Sequence, residues 1–155
     1  MSENTIISFE KIEKEIQKIY LSECRETLTE ILREIDEYLY NHCDKSVFCY
    51  KETIAKSFHT LFGTIQIKRR TYQIGLENGE SKIIALLDEI LSGKTYGRFT
   101  KAIAEIICKW RKENKSYGEI RDKLDKYHEV YITRPSLQYM YNRYAEKLFL
   151  KTEAS

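Results

Sequence analysis

The chain has 155 residues, of which 42% are hydrophobic and 32% are charged, and its formal net charge is +2. This balance is typical of a globular domain that can bury its own core, and it argues against disordered and membrane proteins. No apolar run is long enough to cross a bilayer and the first residues lack the pattern of an export signal, so we expect a cytoplasmic protein. The four cysteines include no Cys-x-x-Cys pair, so we expect free thiols, no metal and no other cofactor.

Charge is distributed unevenly along the chain. Residues 1–45 carry 11 acidic and 6 basic side chains, whereas residues 46–155 carry 13 acidic and 20 basic ones. The first stretch is therefore net acidic and the second net basic. Only the second stretch has the charge that would favour contact with phosphate groups.

The first predicted element is helical and spans residues 8–40, which contain neither glycine nor proline. Its apolar residues recur at spacings of three and four, which predicts one long amphipathic helix or two in series. Glu23, Cys24 and Thr27 interrupt the apolar stripe, which favours two shorter helices over one continuous coiled coil. The stripe needs a partner, which is either the rest of the chain or residues 8–40 of a second copy in a homodimer. The stripe consists of Phe9, Ile12, Ile16, Ile19, Leu28, Ile31, Ile35 and Tyr38.

The pattern then changes to that of strands. Apolar and polar residues alternate strictly from Thr64 to Lys68, which is the period of a strand. Asn78-Gly79 indicates a tight hairpin, because both central positions of such a turn prefer positive φ. We therefore predict a three-stranded antiparallel meander over about residues 50–60, 64–74 and 81–86.

Helical patterns return after Leu87. A short helical piece near Asp88–Leu91 is predicted to end at Ser92-Gly93, and a helix capped by Thr100 is predicted to run to about Glu113. Its apolar stripe consists of Phe99, Ile103, Ile106 and Trp110. Ser116-Tyr117-Gly118-Glu119 has the form of a capping box and predicts a short second helix that ends near Tyr127. Thr133-Arg134-Pro135 opens a third, because proline is tolerated in a first helical turn.

The third helix of this group is predicted to have two distinct faces. Leu137, Met140, Tyr141, Tyr144 and Leu148 share one side. The opposite side is polar, and arginine, asparagine and glutamine there could read base edges in a major groove. Three such helices form the pattern of a helix-turn-helix. The candidate DNA-binding residues on this helix are Arg134, Ser136, Gln138, Tyr139, Asn142 and Arg143.

A compact basic cluster, Lys68-Arg69-Arg70, lies on the second predicted strand. These side chains could grip phosphate beside the groove. The alternative is an ordinary charged strand, since lysine and arginine also protect exposed sheet edges from aggregation.

Several segments together resemble the N-terminal region of the ISLre-two family of insertion-sequence transposases. They are Thr60 to Tyr72, Leu86 to Leu91, Ser116 to Ile120 and Thr133 to Leu137, and their order and spacing agree over about residues 46–148. The resemblance implies a DNA-recognition region that precedes a nuclease domain built on clustered carboxylates and divalent metal. We expect this chain to lack that domain, because no sequence remains after Leu150 to form it.

The predicted fold class is thus α+β and mostly helical, with a helical segment (1–45), a sheet with a short helix (46–91) and a helix-turn-helix (92–155). The predicted function is binding of double-stranded DNA at element ends or related sites, with regulation of transposition or transcription. No catalytic constellation is visible, so we expect no enzyme, no small-molecule substrate and no membrane contact. The alternative is an oligomerisation or protein-interaction module that acts through residues 8–40.

Overall fold

The computed structural model describes residues 7–91 and 95–153. The helices in these ranges are α1 (Phe9–His42), α2 (Leu86–Leu91), α3 (Lys101–Lys112), α4 (Tyr117–His128) and α5 (Arg134–Glu153). The strands are β1 (Cys49–Thr60), β2 (Gly63–Gly75), β3 (Ser81–Ile84), β4 (Thr95–Tyr96) and β5 (Phe99–Thr100). The fold is therefore α+β and mostly helical, as predicted. The expected helix end at Ser92-Gly93 lies outside the described residues.

α1 is one continuous helix of 34 residues. The preference for two helices in series was therefore wrong. Ser8 caps the helix, since its Oγ accepts a hydrogen bond from the Lys11 backbone N–H at 3.2 Å. The apolar stripe is interrupted near Glu23 without a break in the helix.

The buried face of α1 also differs from the predicted stripe. Leu21 and Leu32 are buried, and Leu28, Ile35 and Leu39 pack against the core. The predicted apolar residues of the first three turns are exposed, as are two predicted members further along. The exposed members of the predicted stripe are Phe9, Ile12, Ile16, Ile19, Ile31 and Tyr38.

The predicted meander is present, with strands close to their expected limits. β1 pairs antiparallel with β2, and β2 pairs antiparallel with β3. The turn between β2 and β3 is closed by a hydrogen bond from Leu76 N–H to the Glu80 carbonyl (2.7 Å). It differs from the expected two-residue turn, because three residues form the loop and Gly79 (φ +84°) has positive φ whereas Asn78 does not. Such three-residue loops place glycine in the left-handed region after a type I turn.

A second, unpredicted hairpin extends the sheet to five strands in the order β3-β2-β1-β5-β4. β4 and β5 are joined by a two-residue turn at Gly97-Arg98, in which Gly97 has φ +65°. β5 runs parallel to β1 at His59 and Phe99. Thr100 precedes α3 at the expected capping position, but its hydroxyl makes no capping hydrogen bond.

Two hydrophobic cores are present in the described part of the chain. One lies between α1, the β1–β2 pair and α2, and contains Leu32, Phe58, Ile65, Ile67 and Leu87. The other lies among β4, β5 and helices α3 to α5. The expected first and second segments, 1–45 and 46–91, thus share one core, because α1 covers one face of the β1–β2 pair.

Candidate nucleic-acid interface

Helices α3, α4 and α5 pack around one core. Ile120 and Leu124 of α4 and Leu137 and Met140 of α5 are buried in it. The buried face of α3 is rotated from the predicted one, since Ala104, Ile107 and Cys108 join Ile103 in the core and Ile106 and Trp110 are only half-buried. The two small residues Ala104 and Cys108 therefore belong to the buried face, which the larger apolar residues alone did not indicate.

The connections between these helices are short and capped. Ser116 Oγ accepts a hydrogen bond from Glu119 N–H at 3.2 Å, which is one half of the predicted capping box. α4 ends where Glu129 adopts a left-handed conformation (φ +54°). Thr133 Oγ1 accepts a hydrogen bond from Ser136 N–H at 3.3 Å at the start of α5. Both ends of the connection between α4 and α5 are thereby fixed.

α5 has the two faces predicted for it. Leu137, Met140 and Leu148 are buried, together with Ala145. All six predicted DNA-binding residues of this helix are exposed: Arg134, Ser136, Gln138, Tyr139, Asn142 and Arg143. The polar face is therefore open to solvent over about two and a half turns.

Two of these exposed side chains are linked to each other. Arg143 Nη1 donates a hydrogen bond to Tyr139 Oη at 2.9 Å. The guanidinium also lies 5.8 Å from the Tyr139 ring centroid and 5.6 Å from that of Tyr144. Interaction with Tyr139 and then with Tyr144 raises the pKa of Arg143 above its ordinary value, so the group is a permanent cation. These contacts hold the arginine at the C-terminal end of the exposed face.

Arg134 is held at the start of the same face. Its guanidinium lies flat over Gly118 in the first turn of α4, where a Cβ on Gly118 would come within 3.3–3.4 Å of three guanidinium atoms. Glycine therefore permits the close contact between Arg134 and α4. Ser136 is partly engaged in the cap of α5, since its Oγ accepts a hydrogen bond from Thr133 Oγ1 at 2.9 Å.

The basic cluster on β2 is divided by the structure. Lys68 is exposed. Arg69 forms a two-pronged contact with Asp88, with its Nε and Nη2 each donating at 3.0 Å, and Arg70 donates to Asp36 at 2.9 Å. Both guanidiniums thus bind carboxylates of the core-forming helices. Their predicted contact with phosphate is therefore not part of the function proposed for this chain.

Asp88 is the centre of a small ionic cluster. Burial acts to raise its pKa, but the hydrogen bonds and charge of Arg69, together with Lys56, outweigh it and hold the pKa below the ordinary value. Lys56 Nζ lies 3.3 Å from Asp88 Oδ2. The cluster fastens α2 to the β1–β2 pair.

A further contact, the Arg25 junction, joins α1 and the sheet to the helix-turn-helix. It consists of Arg25, Phe62, Gly63 and Glu129. Arg25 Nη1 donates to the Phe62 carbonyl and to Glu129 Oε2, both at 2.7 Å. Nearby, His128 Nδ1 lies 2.8 Å from the Leu61 carbonyl. The orientation of α4, and with it α5, is therefore tied to the β1–β2 turn.

Arg98, an exposed cation that lies beside α5, was not identified from the sequence. Arg98 lies at the tip of the β4–β5 hairpin, for which the sequence analysis made no prediction. The available signal was Gly97, which stands with Arg98 between the two aromatic residues Tyr96 and Phe99. A glycine in that setting is typical of a tight hairpin turn.

No helix within the described ranges is both long and apolar enough to span a membrane. The search of curated proteins gives no match. A family model described as an uncharacterised protein family (UPF0236) matches residues 2–142. Because that match covers most of the sequence, the chain belongs to the uncharacterised protein family UPF0236.

Proposed function

We propose that this chain binds double-stranded DNA by laying α5 in the major groove. The observation that carries the proposal is the exposed face of α5, on which Gln138, Asn142 and Arg143 stand opposite the face that packs against the core. A major groove is wide enough for one helix, and these three side-chain types carry the paired donors and acceptors that distinguish adenine and guanine edges. The caps at both ends of the α4–α5 connection support the proposal, because base reading requires a helix in a fixed orientation.

The remaining predicted residues have supporting roles in the proposal. Arg134, Ser136 and Tyr139 would contact phosphates or bases near the start and middle of α5, and Lys68 would contact phosphate from the sheet. No cofactor and no catalytic step are assigned to this chain. It would act on the bacterial nucleoid within the cytoplasm.

The resemblance to ISLre-two transposases supplies the class of target. In the proposal, the chain recognises the ends of an insertion sequence or related sites, and thereby regulates transposition or transcription. The resemblance rests on the segments around Arg70, Asp88, Ser116 and Arg134. It supports DNA recognition and says nothing of cleavage by this chain.

The test begins with selection of a preferred duplex from a random pool, followed by fluorescence anisotropy on the selected and on a random duplex. We expect binding that weakens with salt, with a log–log slope of about −0.9 per neutralised phosphate. Lys68→Ala should weaken both duplexes alike and reduce the slope by about one. The absence of binding to either duplex at about 0.05 M salt would refute the proposal.

A second candidate function, self-association through α1, has its own supporting observation. Phe9, Ile12, Ile16 and Ile19 are 84%, 44%, 59% and 59% exposed, and their spacing of three, four and three residues is that of a coiled-coil seam. We propose that a second copy of the chain covers this stripe, in line with the symmetric dimers common among helix-turn-helix proteins.

Sedimentation equilibrium tests self-association. Ile16→Lys should shift a dimer to monomer, because it places a charge in the centre of the stripe. Ile83→Lys, which changes an exposed residue on β3, is the matched control and should leave the mass unchanged. A monomeric wild-type protein at all concentrations would exclude this candidate.

A further inference from the structure

The tip of the β4–β5 hairpin is packed against the side of α5. A Cβ placed on Gly97 would lie 3.3 Å from Tyr144 Oη and 3.4 Å from its ring. The rings of Tyr96 and Tyr144 meet edge to face, with centroids 5.7 Å apart. The hairpin therefore has a defined position beside the helix and does not project freely into solvent.

Tyr144 connects this tip to the exposed face of α5. Its ring contacts Gly97 on one side, and the Arg143 guanidinium carbon lies 5.6 Å from its centroid. Adding one residue of 3.8 Å along the chain gives an upper limit of about 16 Å between the Arg98 Cα and that guanidinium. A major groove is about 12 Å wide, so this limit leaves the hairpin tip within reach of a backbone that flanks a groove occupied by α5.

The backbone of Arg98 is rigidly held while its side chain is exposed. Its carbonyl accepts a hydrogen bond from His59 N–H at 2.7 Å, and Tyr96 and Phe99 on either side of the turn are buried. Among the described residues, no carboxylate forms an ion pair with the Arg98 guanidinium. In this it differs from Arg69 and Arg70, whose charges are compensated within the fold.

From this geometry we propose that Arg98 is a phosphate-binding residue and that the β4–β5 hairpin is a second DNA-contacting element beside α5. The inference rests on the proposed function, because it assumes that α5 meets a duplex. Arg98 would contact the backbone of the strand that flanks the groove occupied by α5. The contact carries no sequence information and adds affinity to every duplex.

The experiment measures anisotropy of a fluorescein-labelled mixed-sequence duplex of about 24 base pairs between about 0.05 and 0.2 M salt. One released counterion corresponds to a slope change of about 0.9, so Arg98→Ala should lose about eightfold in affinity near 0.1 M salt. Arg98→Lys keeps the charge and should retain most of the affinity. Lys82→Ala removes the same charge from β3, at the opposite edge of the sheet, and should bind like the wild type.

The outcomes separate the two proposals. If the wild type binds and Arg98→Ala binds equally well with an unchanged slope, the hairpin contact is wrong and DNA binding by α5 stands. If the wild type itself fails to bind, the proposed function is wrong and the inference fails with it. Equal thermal unfolding midpoints for the wild type and both Arg98 variants would show that a loss of affinity reflects the contact and not the fold.

Discussion

Arg25 holds together three parts of the chain that are distant in sequence, and its removal has a calculable cost. One guanidinium nitrogen serves both the Phe62 carbonyl and Glu129 Oε2, each at 2.7 Å, and the Arg25 and Glu129 side chains are about one quarter exposed. A hydrogen bond to a charged group contributes about 1.5–3 kcal/mol when well shielded. Allowing for solvent screening, we expect Arg25→Ala to lower the free energy of unfolding by about 3 kcal/mol.

A double-mutant cycle that combines Arg25 with Gly63 tests the packing at this junction. Gly63 has φ +119°, and a Cβ there would lie 2.8 Å from Arg25 Nη1 and 2.9 Å from its Cδ. Gly63→Ala alone should cost about 1–3 kcal/mol of backbone strain and should also displace Arg25 from its partners. With Arg25 already replaced by alanine, the same substitution should cost only the strain. The two changes together should therefore destabilise by at least about 1 kcal/mol less than the sum of the single changes.

Urea unfolding of the wild type, the two single variants and the double variant measures the coupling directly. The m-values must agree among the four proteins for the free energies to be comparable. Additive effects within about 0.5 kcal/mol would refute the reasoning, because they would mean that a side chain at position 63 does not contact Arg25. The same cycle reports whether the Arg25 junction holds α4 against the sheet.

Three further predictions concern the DNA-binding face and the dependence of stability on pH. Asn142→Ala and Arg143→Ala should each lower affinity for a selected duplex by about 1–3 kcal/mol and blunt its preference over random DNA in competition assays; equal losses on both duplexes would exclude base reading. Asp88→Asn should lower the free energy of unfolding by about 1.5–3 kcal/mol at pH 7. Because the pKa of Asp88 is lowered in the folded chain, its contribution to stability is present above the unfolded pKa and disappears as pH falls through the folded pKa. In urea unfolding, the free energies of the wild type and of the variant should therefore converge in acid. Burial, and to a smaller extent Arg98, lowers the pKa of His59 in the folded chain. The unfolded chain therefore binds a proton at His59 first as pH falls, and the free energy of unfolding should decrease below about pH 6.5. His59→Gln should flatten the dependence of that free energy on pH between about pH 5 and 7, and parallel curves for wild type and variant would contradict the prediction.

Much of the fold follows from local patterns. The alternation from Thr64 to Lys68 is that of β2, and Asn78-Gly79 indicates the β2–β3 hairpin, although its loop has three residues. The Ser116 cap and the start of α5 around Pro135 also agree with the structure. These features depend on residues close together in sequence, for which backbone preference and side-chain period are sufficient guides.

The packing of α1 could not be predicted in the same way. Its sequence offers two overlapping apolar stripes, and the one that contains Ile16 and Ile19 is more regular than the one that contains Leu21 and Leu32. Leu21 and Leu32 are the buried ones, and Leu32 belongs to the core that α1 shares with the sheet and α2. Which stripe faces the core depends on where distant strands lie, and periodicity within the helix carries no information about that.

The sequence by itself determined that the chain folds as helices around a small antiparallel sheet, and that the last helix has one apolar and one hydrogen-bonding face. Tertiary structure decided which charges remain available on the surface. Arg69 and Arg70 are paired with Asp88 and Asp36, 19 and 34 residues away, whereas Arg98 is presented beside α5 by a short hairpin, Thr95 to Thr100. The physical reason is that ion pairing depends on distances in space of a few ångströms, and only the packed chain sets those distances.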